Sequence, residues 1–172
     1  GDVYKRQVLN RIWGMDKLLR QACDEFAFHA LFTELHNFCA LDLSAFYFDI
    51  RKDSLYCDRL DNVRRRAART VLDILFDCLT AWLAPFICFS AEEAWLARHS
   101  DRVPGNSVHL RTFPDIPDTW RDDELAEKWN SLRDVRRVVT GALEKERAEK
   151  RIGSGLQAAP MVYAPVSYTH LT

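Results

Sequence analysis

The residues best suited to binding chemistry cluster between positions 51 and 69. This stretch holds seven cations and three carboxylates, whereas residues 101–130 hold four cations and seven carboxylates. The charge is therefore segregated, although the formal net charge of the chain is only −1. Such a segment predicts either a phosphate-binding surface or a solvated face on which cations pair with neighbouring acids. The cations are Arg51, Lys52, Arg59, Arg64, Arg65, Arg66 and Arg69.

Helical geometry constrains where these side chains point. The run Arg64–Arg66 spans nearly a full turn, so at least one of its three side chains must face inward or along a groove. Arg69 lies four residues after the middle arginine and shares its face. Arg51 and Lys52 are expected to end a helix, where a cation also interacts with the helix dipole by about 0.3–1 kcal/mol. Tyr56 is expected in the loop that follows.

The sequence offers no support for a freestanding catalyst or a metal site. It shows no nucleophile–base pair, and its five cysteines include no CxxC pair. His29 and His36 are seven residues apart without a third ligand nearby. The tripeptide GSG follows a helix, which is the wrong context for a phosphate-binding loop. Cys39, Cys78 and Cys88 fall in apolar runs and are expected as small core residues.

Apolar residues at three- and four-residue spacing predict the helices that position these groups. The first helix is expected at residues 8–23. The second is expected at 28–50, with a stripe that includes Phe46 and Ile50 and a loop at Asp53–Ser54.

Three later helices carry recognisable boundary signals. Asp61 or Asn62 is expected to cap the third helix, which Pro85 ends. The spacing of Ser90–Glu93 predicts a capping box and a short fourth helix. Asp122 is expected to start the last long helix.

These elements predict an all-α fold, an antiparallel helical bundle with a short strand-like C-terminal extension. Residues 107–113 and 157–164 are expected as short strands. Asp42 lies close to the apolar stripe of the second helix. If it is buried it must be paired, and an arginine of the third helix is the expected partner.

The two ends of the chain look foreign to the rest. GDVYKRQ, residues 1–7, and VSYTHLT, residues 166–172, are similar to translated sequencing-adapter tails, and neither continues the periodicity of its neighbour. Disordered termini are the alternative interpretation. Between these tails we expect a helical domain at 8–152 and the start of a following subdomain at 153–165.

Longer motifs carry a resemblance to a known family. DLSAFYFDIRKDSLYCD, at Asp42–Asp58, resembles the anticodon-binding domain of isoleucyl-tRNA synthetases, where the usual pattern is close to FYLDI-x-KD-x-LY. RRAARTVLD and APFICFSAEEAW are similar to helices shared among class I synthetases for aliphatic amino acids. SVHLRTFP and EKERAEKRIGSGLQAAPMVYA match the later part of the same domain. Valyl enzymes usually carry a pattern near FCDWYIE in place of AFYFDIRKD, so valyl is the alternative and isoleucyl is preferred.

The resemblance implies an RNA-reading module of a larger enzyme, an isoleucine–tRNA ligase. It implies tRNA(Ile) as a partner, together with catalytic and editing domains of the same chain, and neither a membrane nor DNA. The segment itself lacks HIGH-like and KMSKS-like signatures and is expected to hold no cofactor. ATP with magnesium is implied for the parent enzyme, and zinc for parents that carry a zinc-binding tail. Scattered cysteines without a signal peptide indicate the cytoplasm.

Binding a single-stranded anionic loop requires cations for the phosphates and aromatic rings for unstacked bases. Tyr56 can stack on a base, whereas Tyr47 is expected as half-buried packing. A helical scaffold whose cationic patch binds an acidic protein is the competing interpretation. The predicted RNA-binding residues are Arg51, Lys52, Tyr56, Arg59, Arg64, Arg65, Arg69, Lys150 and Arg151, with no catalytic or metal-binding residue.

Overall fold

The computed structural model describes residues 3–99 and 105–163, and in this part of the chain the regular structure is entirely helical. The predicted all-α fold is therefore confirmed. A π-helical segment, Phe38–Phe48, joins α2 to α3 without a break. The helices are α1 (Val3–Asp24), α2 (Phe28–Asn37), α3 (Asp49–Tyr56), α4 (Val63–Leu83), α5 (Cys88–Arg98) and α6 (Asp123–Ala148).

The chain forms two compact units, of which the first ends at Arg121 and the second begins at Asp122. In the first unit, α1 packs against α2 and α4, and α4 packs against α3 and α5. Short connections join α1 to α2, α3 to α4 and α4 to α5, whereas α2, the π-helical segment and α3 form one continuous helix. No helix within 3–99 or 105–163 is long and apolar enough to cross a membrane.

Side-chain caps fix the starts of the two longest later helices. The side chain of Asn62 accepts a hydrogen bond from the backbone N–H of Arg64 at 2.7 Å, and α4 begins at the next residue. Asp122 accepts from the backbone N–H of Leu125 at 3.1 Å and starts α6. Each cap satisfies a donor that the first helical turn would otherwise leave without a partner. Both predicted starts are confirmed.

The turn between α4 and α5 follows the sequence signals only in part. Helix α4 ends at Leu83, two residues before Pro85, as predicted. The backbone N–H groups of Phe86 and Ile87 both donate to the Leu83 carbonyl at 2.9 Å, which carries the chain directly into α5. The predicted capping box at Ser90 is therefore wrong, because α5 begins two residues earlier.

The π-helical segment changes which side chains face the core. Backbone hydrogen bonds in a π-helix join residues five apart, so each turn holds more residues than an α-helical turn. The buried positions step from Phe38 to Leu43, a spacing of five, and then to Tyr47 and Arg51. The predicted stripe is therefore right only in part: Leu31, Leu35, Phe38 and Leu43 are buried, Phe28 and Phe32 are exposed, and Cys39, Phe46 and Ile50 are partly buried.

An apolar core fills the first unit. Trp82 of α4 and Tyr47 of the π-helical segment are its largest fully buried side chains. Phe113, Ile116 and Trp120, from the chain that follows α5, pack against it. The buried core residues are Val8, Ile12, Met15, Leu19, Ala22, Leu31, Leu35, Phe38, Leu43, Tyr47, Val71, Leu75, Cys78 and Trp82.

One ion pair joins α1 to the π-helical segment. Nε and Nη2 of Arg11 both donate to Oδ2 of Asp42, at 3.0 and 2.7 Å. The Asp42 side chain is only 13% exposed, so the pairing satisfies a carboxylate that would otherwise be costly to bury. The prediction that Asp42 pairs with an arginine of the third helix is wrong, because the π-helical segment directs it towards α1.

The chain after α5 is held by polar contacts instead of strand pairing. The Glu92 carboxylate accepts from the Ser107 hydroxyl at 3.0 Å and from the backbone N–H of Val108 at 2.8 Å. Residues Val108–Leu110 form a 3₁₀ turn. The predicted strand at 107–113 is therefore wrong: the described part of the first unit offers it no neighbouring strand.

The second unit consists mainly of α6. The chain reverses after this helix with Lys150 in the left-handed region at φ 57°, and Gly155–Gln157 form a 3₁₀ turn. The predicted strand at 157–164 is wrong over the described residues 157–163; residue 164 lies outside them, as does the predicted tail at 166–172. The boundaries predicted at 8–152 and 153–165 stay predictions.

The prediction of three core cysteines is right only in part. Cys78 is buried and Cys39 is partly buried, but Cys88 is exposed because it opens α5. Burial raises the pKa of the Cys39 thiol and raises that of Cys78 to about 12. The thiolate is the reactive form, so burial protects Cys78 both sterically and chemically.

Thiol reactivity should follow this division. At pH 8, a disulfide reagent such as DTNB is expected to modify Cys57 and Cys88 quickly and Cys78 only at the rate of unfolding. Mass spectrometry of the modified peptides measures each rate. Rapid modification of Cys78 in the folded chain, at a pH well below its raised pKa, would contradict this assignment.

Substitutions of two adjacent aromatic residues test which side of the π-helical segment faces the core. Tyr47→Ala should lower the free energy of unfolding by about 3–5 kcal/mol, because it empties a fully buried site. Phe46→Ala should cost less than half as much, since Phe46 is only partly buried. Urea denaturation of the full chain measures both values. A larger loss from Phe46→Ala would favour an unbroken α-helix instead.

The Arg11–Asp42 pair should contribute measurably to stability. Asp42→Asn is expected to lower the free energy of unfolding by about 1–2 kcal/mol, since charge-assisted hydrogen bonds in a partly buried pair are lost. Asp49→Asn is the matched control, because its carboxylate is 56% exposed and pairs with Lys52 at the surface. The control should cost less than about 0.5 kcal/mol. Equal losses from the two substitutions would show that the partly buried pair contributes no more to the free energy of unfolding than the exposed pair does.

Candidate nucleic-acid interface

The turn between α3 and α4 gathers most of the predicted RNA-binding residues. The chain leaves α3 at Tyr56 and enters α4 at Val63. The predicted loop at Asp53–Ser54 is wrong, because α3 continues for one further turn. Tyr56 is consequently the last helical residue, and it is 84% exposed. A ring presented at a helix end is accessible to a stacking base.

Arg51 is buried, contrary to its expected position at an exposed helix end. Only 6% of the residue is exposed, because the π-helical segment turns this position towards the core. Its guanidinium carbon lies 5.0 Å from the centre of the Tyr4 ring, within the range of a cation–π interaction. Burial of this kind suits a positioning role better than a direct contact with a base.

Arg65 is built into the turn. Its Nη1 donates to the backbone carbonyl of Asp58 at 2.6 Å, and the residue is half-buried. This confirms that one member of the arginine run faces inward. The hydrogen bond satisfies a carbonyl in the connection and fixes the path of the backbone between Tyr56 and α4.

Two further cations form exposed ion pairs. Arg59 Nε lies 3.3 Å from Asp61 Oδ1, with side chains 87% and 74% exposed. Lys52 Nζ donates to Asp49 at 2.9 Å, and this hydrogen bond raises the pKa of Lys52. Exposed pairs of this type contribute little to stability, so both cations can exchange their partner for a phosphate at small cost.

Helix α4 contributes three exposed arginines, of which Arg64 lies on a different side of the helix from Arg66. Arg64, Arg66 and Arg69 are exposed, and the last two are three residues apart on neighbouring positions of the helix. The cationic turn surface is defined here as Lys52, Tyr56, Arg59, Arg64, Arg66 and Arg69.

A groove with a volume of about 870 Å³ opens beside this surface, between α1, α3 and α4. Four cations line it, and the described lining includes no carboxylate. Tyr4, Ser54 and Thr70 are also among its lining residues, although the Thr70 hydroxyl donates to the Arg66 carbonyl at 3.1 Å. The cations are suited to an anionic backbone. The lining cations are Lys5, Arg6, Arg51 and Arg64.

The interpretation of residues 1–7 as an adapter-like tail excludes Lys5 and Arg6 from the predicted site. Lys5 lies one turn before Leu9, which also lines the groove, so helical periodicity extended backwards would have found it. Helix α1 includes this pair, since it begins at Val3. The adapter-like origin of the tail stays a prediction; without the tail, the groove retains Arg51 and Arg64.

The last two predicted residues, Lys150 and Arg151, belong to the second unit. Arg151 donates to both carboxylate oxygens of Glu146, at 2.6 and 2.9 Å, and lies 2.6 Å from Glu149. Its charge is therefore largely offset locally. Lys150 is exposed at the turn that ends α6.

Comparisons with known proteins agree with this picture. Relatives include isoleucine–tRNA ligases of Agrobacterium fabrum (52% identical over 159 residues), Mesorhizobium japonicum (53% over 158) and Caulobacter vibrioides (49% over 159). Each match covers 92% of this chain but only 16% of the relative. A family model described as the anticodon-binding domain of tRNA ligase matches residues 5–162. The chain therefore belongs to the family of tRNA ligase anticodon-binding domains.

Proposed function

We propose that this chain binds the anticodon of tRNA(Ile) within an isoleucine–tRNA ligase, and positions the tRNA for ATP-dependent aminoacylation by a catalytic domain elsewhere in a longer chain. The observation that carries the proposal is the cationic turn surface, where an exposed tyrosine stands beside exposed arginines on a member of this family. The names of the relatives support isoleucine over the valine alternative.

Each part of the surface has a distinct task in this proposal. The Tyr56 ring stacks on an unstacked base of the anticodon loop, which is typically worth about 1–3 kcal/mol. Arg64, Arg66 and Arg69 bind phosphates on the path to and from that base. Arg65 acts indirectly. Its hydrogen bond to the Asp58 carbonyl holds the turn, so that the Tyr56 ring and the cations keep their spacing.

The groove extends the same surface towards α1. Its cations are better suited to binding a phosphate than a base. The buried Arg51 contributes positive charge to the groove, but its guanidinium is too little exposed to form hydrogen bonds with a base edge. We assign it to the sugar–phosphate backbone beside the anticodon. Lys150 and Arg151 remain candidate phosphate ligands on the second unit.

The remaining expectations concern the longer protein. Catalytic and editing domains of the same chain, ATP with magnesium, zinc in parents with a zinc-binding tail, and a cytoplasmic location all belong to this proposal. Within residues 3–99 and 105–163, no three metal-ligating side chains come together.

Binding of a labelled tRNA(Ile) anticodon stem-loop to the full chain tests the proposal, with fluorescence anisotropy as the readout. The native anticodon should bind more tightly than a stem-loop with a changed anticodon. Tyr56→Ala should weaken native binding about 5- to 150-fold, the equivalent of about 1–3 kcal/mol. Tyr56→Phe should retain the affinity, because the ring is kept. Arg64→Gln should reduce the slope of log affinity against log salt by about 1.

Arg98→Gln is the control for Arg64→Gln. It removes the same charge from α5, where Arg98 pairs with Asp73 at 2.7 Å, and should leave the salt slope unchanged. Equal affinity for the two anticodons would remove base recognition from the proposal. No binding by the folded chain, or equally tight binding of an acidic peptide at the same surface, would favour the interaction-scaffold alternative.

A further inference from the structure

The cations of the groove between α1, α3 and α4 account for only part of its lining. The other part is apolar, and most of it comes from one face of α4. Val63, Ala67 and Val71 follow one another at four-residue steps, so their side chains form a continuous stripe along the groove. Leu9 of α1 also lines it. Phosphates are bound by charge, so a sugar–phosphate backbone alone leaves this apolar wall without a function.

The groove has the size of a small-molecule site. Its volume of about 870 Å³ lies within the range of about 300–1,000 Å³ that is typical of ligand pockets, which combine an apolar lining with a few polar groups. Ala67 lies in the middle of the α4 stripe, and its short side chain leaves the space in front of it open. A planar group can therefore lie against the stripe.

The charged side of the groove favours an anion. Arg51 and Arg64 approach it from α3 and α4, and Lys5 and Arg6 approach it from α1. Guanidinium and ammonium groups form strong, charge-assisted hydrogen bonds with phosphate. The exposed Tyr4 ring lies beside the guanidinium of Arg51, and an unstacked base can pack on either group.

We propose that the groove is a nucleotide-binding site, in which a base lies along the α4 stripe and its phosphates contact Arg51 and Arg64. A nucleotide combines a flat ring with phosphate charge and so matches both sides of the groove. Two sources carry this chemistry: a free nucleoside polyphosphate, and a nucleotide of bound RNA whose base leaves the stack. The inference deepens the proposed function and rests on it only for the second source. Arg51, Arg64 and the stripe lie outside residues 1–7, so the site does not depend on the origin of the tail.

Isothermal titration calorimetry of the full chain tests the site without RNA. The probes are ATP and inorganic triphosphate, both in magnesium-free buffer. ATP should bind about tenfold more tightly than triphosphate, because only ATP carries a base. Arg64→Gln should weaken the binding of both probes by about fivefold or more. Arg98→Gln, which removes the same charge from α5, should leave both affinities within about twofold.

Ala67→Leu tests the position of the base. The larger side chain fills the space along the stripe, so it should weaken ATP binding about tenfold and change triphosphate binding less than about threefold. Ala97→Leu is the matched control, because it makes the same substitution at an exposed position of α5 outside the groove. It should leave both affinities unchanged. Circular dichroism checks that each variant is folded.

Stem-loop binding by the Ala67→Leu chain distinguishes the two sources. If RNA places a nucleotide in the groove, this substitution should also weaken binding of the anticodon stem-loop, by about fivefold or more. If a free nucleotide is the ligand, stem-loop binding should stay within about twofold, and ATP should compete with the stem-loop for the cations.

Two outcomes would overturn the proposal. The first is no binding of ATP by the folded chain. The second is ATP binding that is no tighter than triphosphate binding and insensitive to Ala67→Leu, which would reduce the groove to a phosphate site. A chain that binds ATP as expected but no stem-loop would contradict the proposed anticodon binding and leave the nucleotide site standing, so the two failures are distinguishable.

Discussion

The bundle depends on the helix from Phe28 to Tyr56 keeping one face buried over its whole length. An α-helix turns its apolar stripe gradually around its axis, and the spacing of large residues after Phe38 would carry Phe46 inward. The π-helical segment resets that rotation and buries Tyr47 in its place. The same adjustment brings Asp42 against Arg11, so one backbone irregularity determines both an aromatic core position and the ion pair to α1.

The candidate site inherits its geometry from this adjustment. The reset turns Arg51 to the buried side of α3, where its guanidinium lies against the Tyr4 ring and lines the groove. Helix α3 then ends at Tyr56, whose ring is left in solvent, and Arg65 ties the following turn to a backbone carbonyl. Recognition of a flexible RNA loop benefits from such rigidity, since a preorganised surface loses less conformational entropy on binding.

The parts of this structure that a sequence can predict are those set by local chemistry. The Asn62 and Asp122 caps and the stop before Pro85 depend on side chains within a few residues, and each is confirmed. The orientation of Arg51 depends on the π-helical segment, which starts thirteen residues upstream at Phe38. α-Helical periodicity alone cannot predict this change of orientation. The two expected strands failed for a different reason: a strand needs a partner, and the described chain supplies none.

The distribution of polar and apolar surface explains why overall composition conceals the function. Seven cations between residues 51 and 69 produce a strongly positive end, yet acidic residues elsewhere reduce the formal net charge to −1. A local cluster of cations is sufficient for a phosphate-binding surface, whereas excess net charge over the whole chain would destabilise the compact state. The end that carries Phe26 and Phe89 is instead apolar. Helix α4 connects these two ends as one continuous helix.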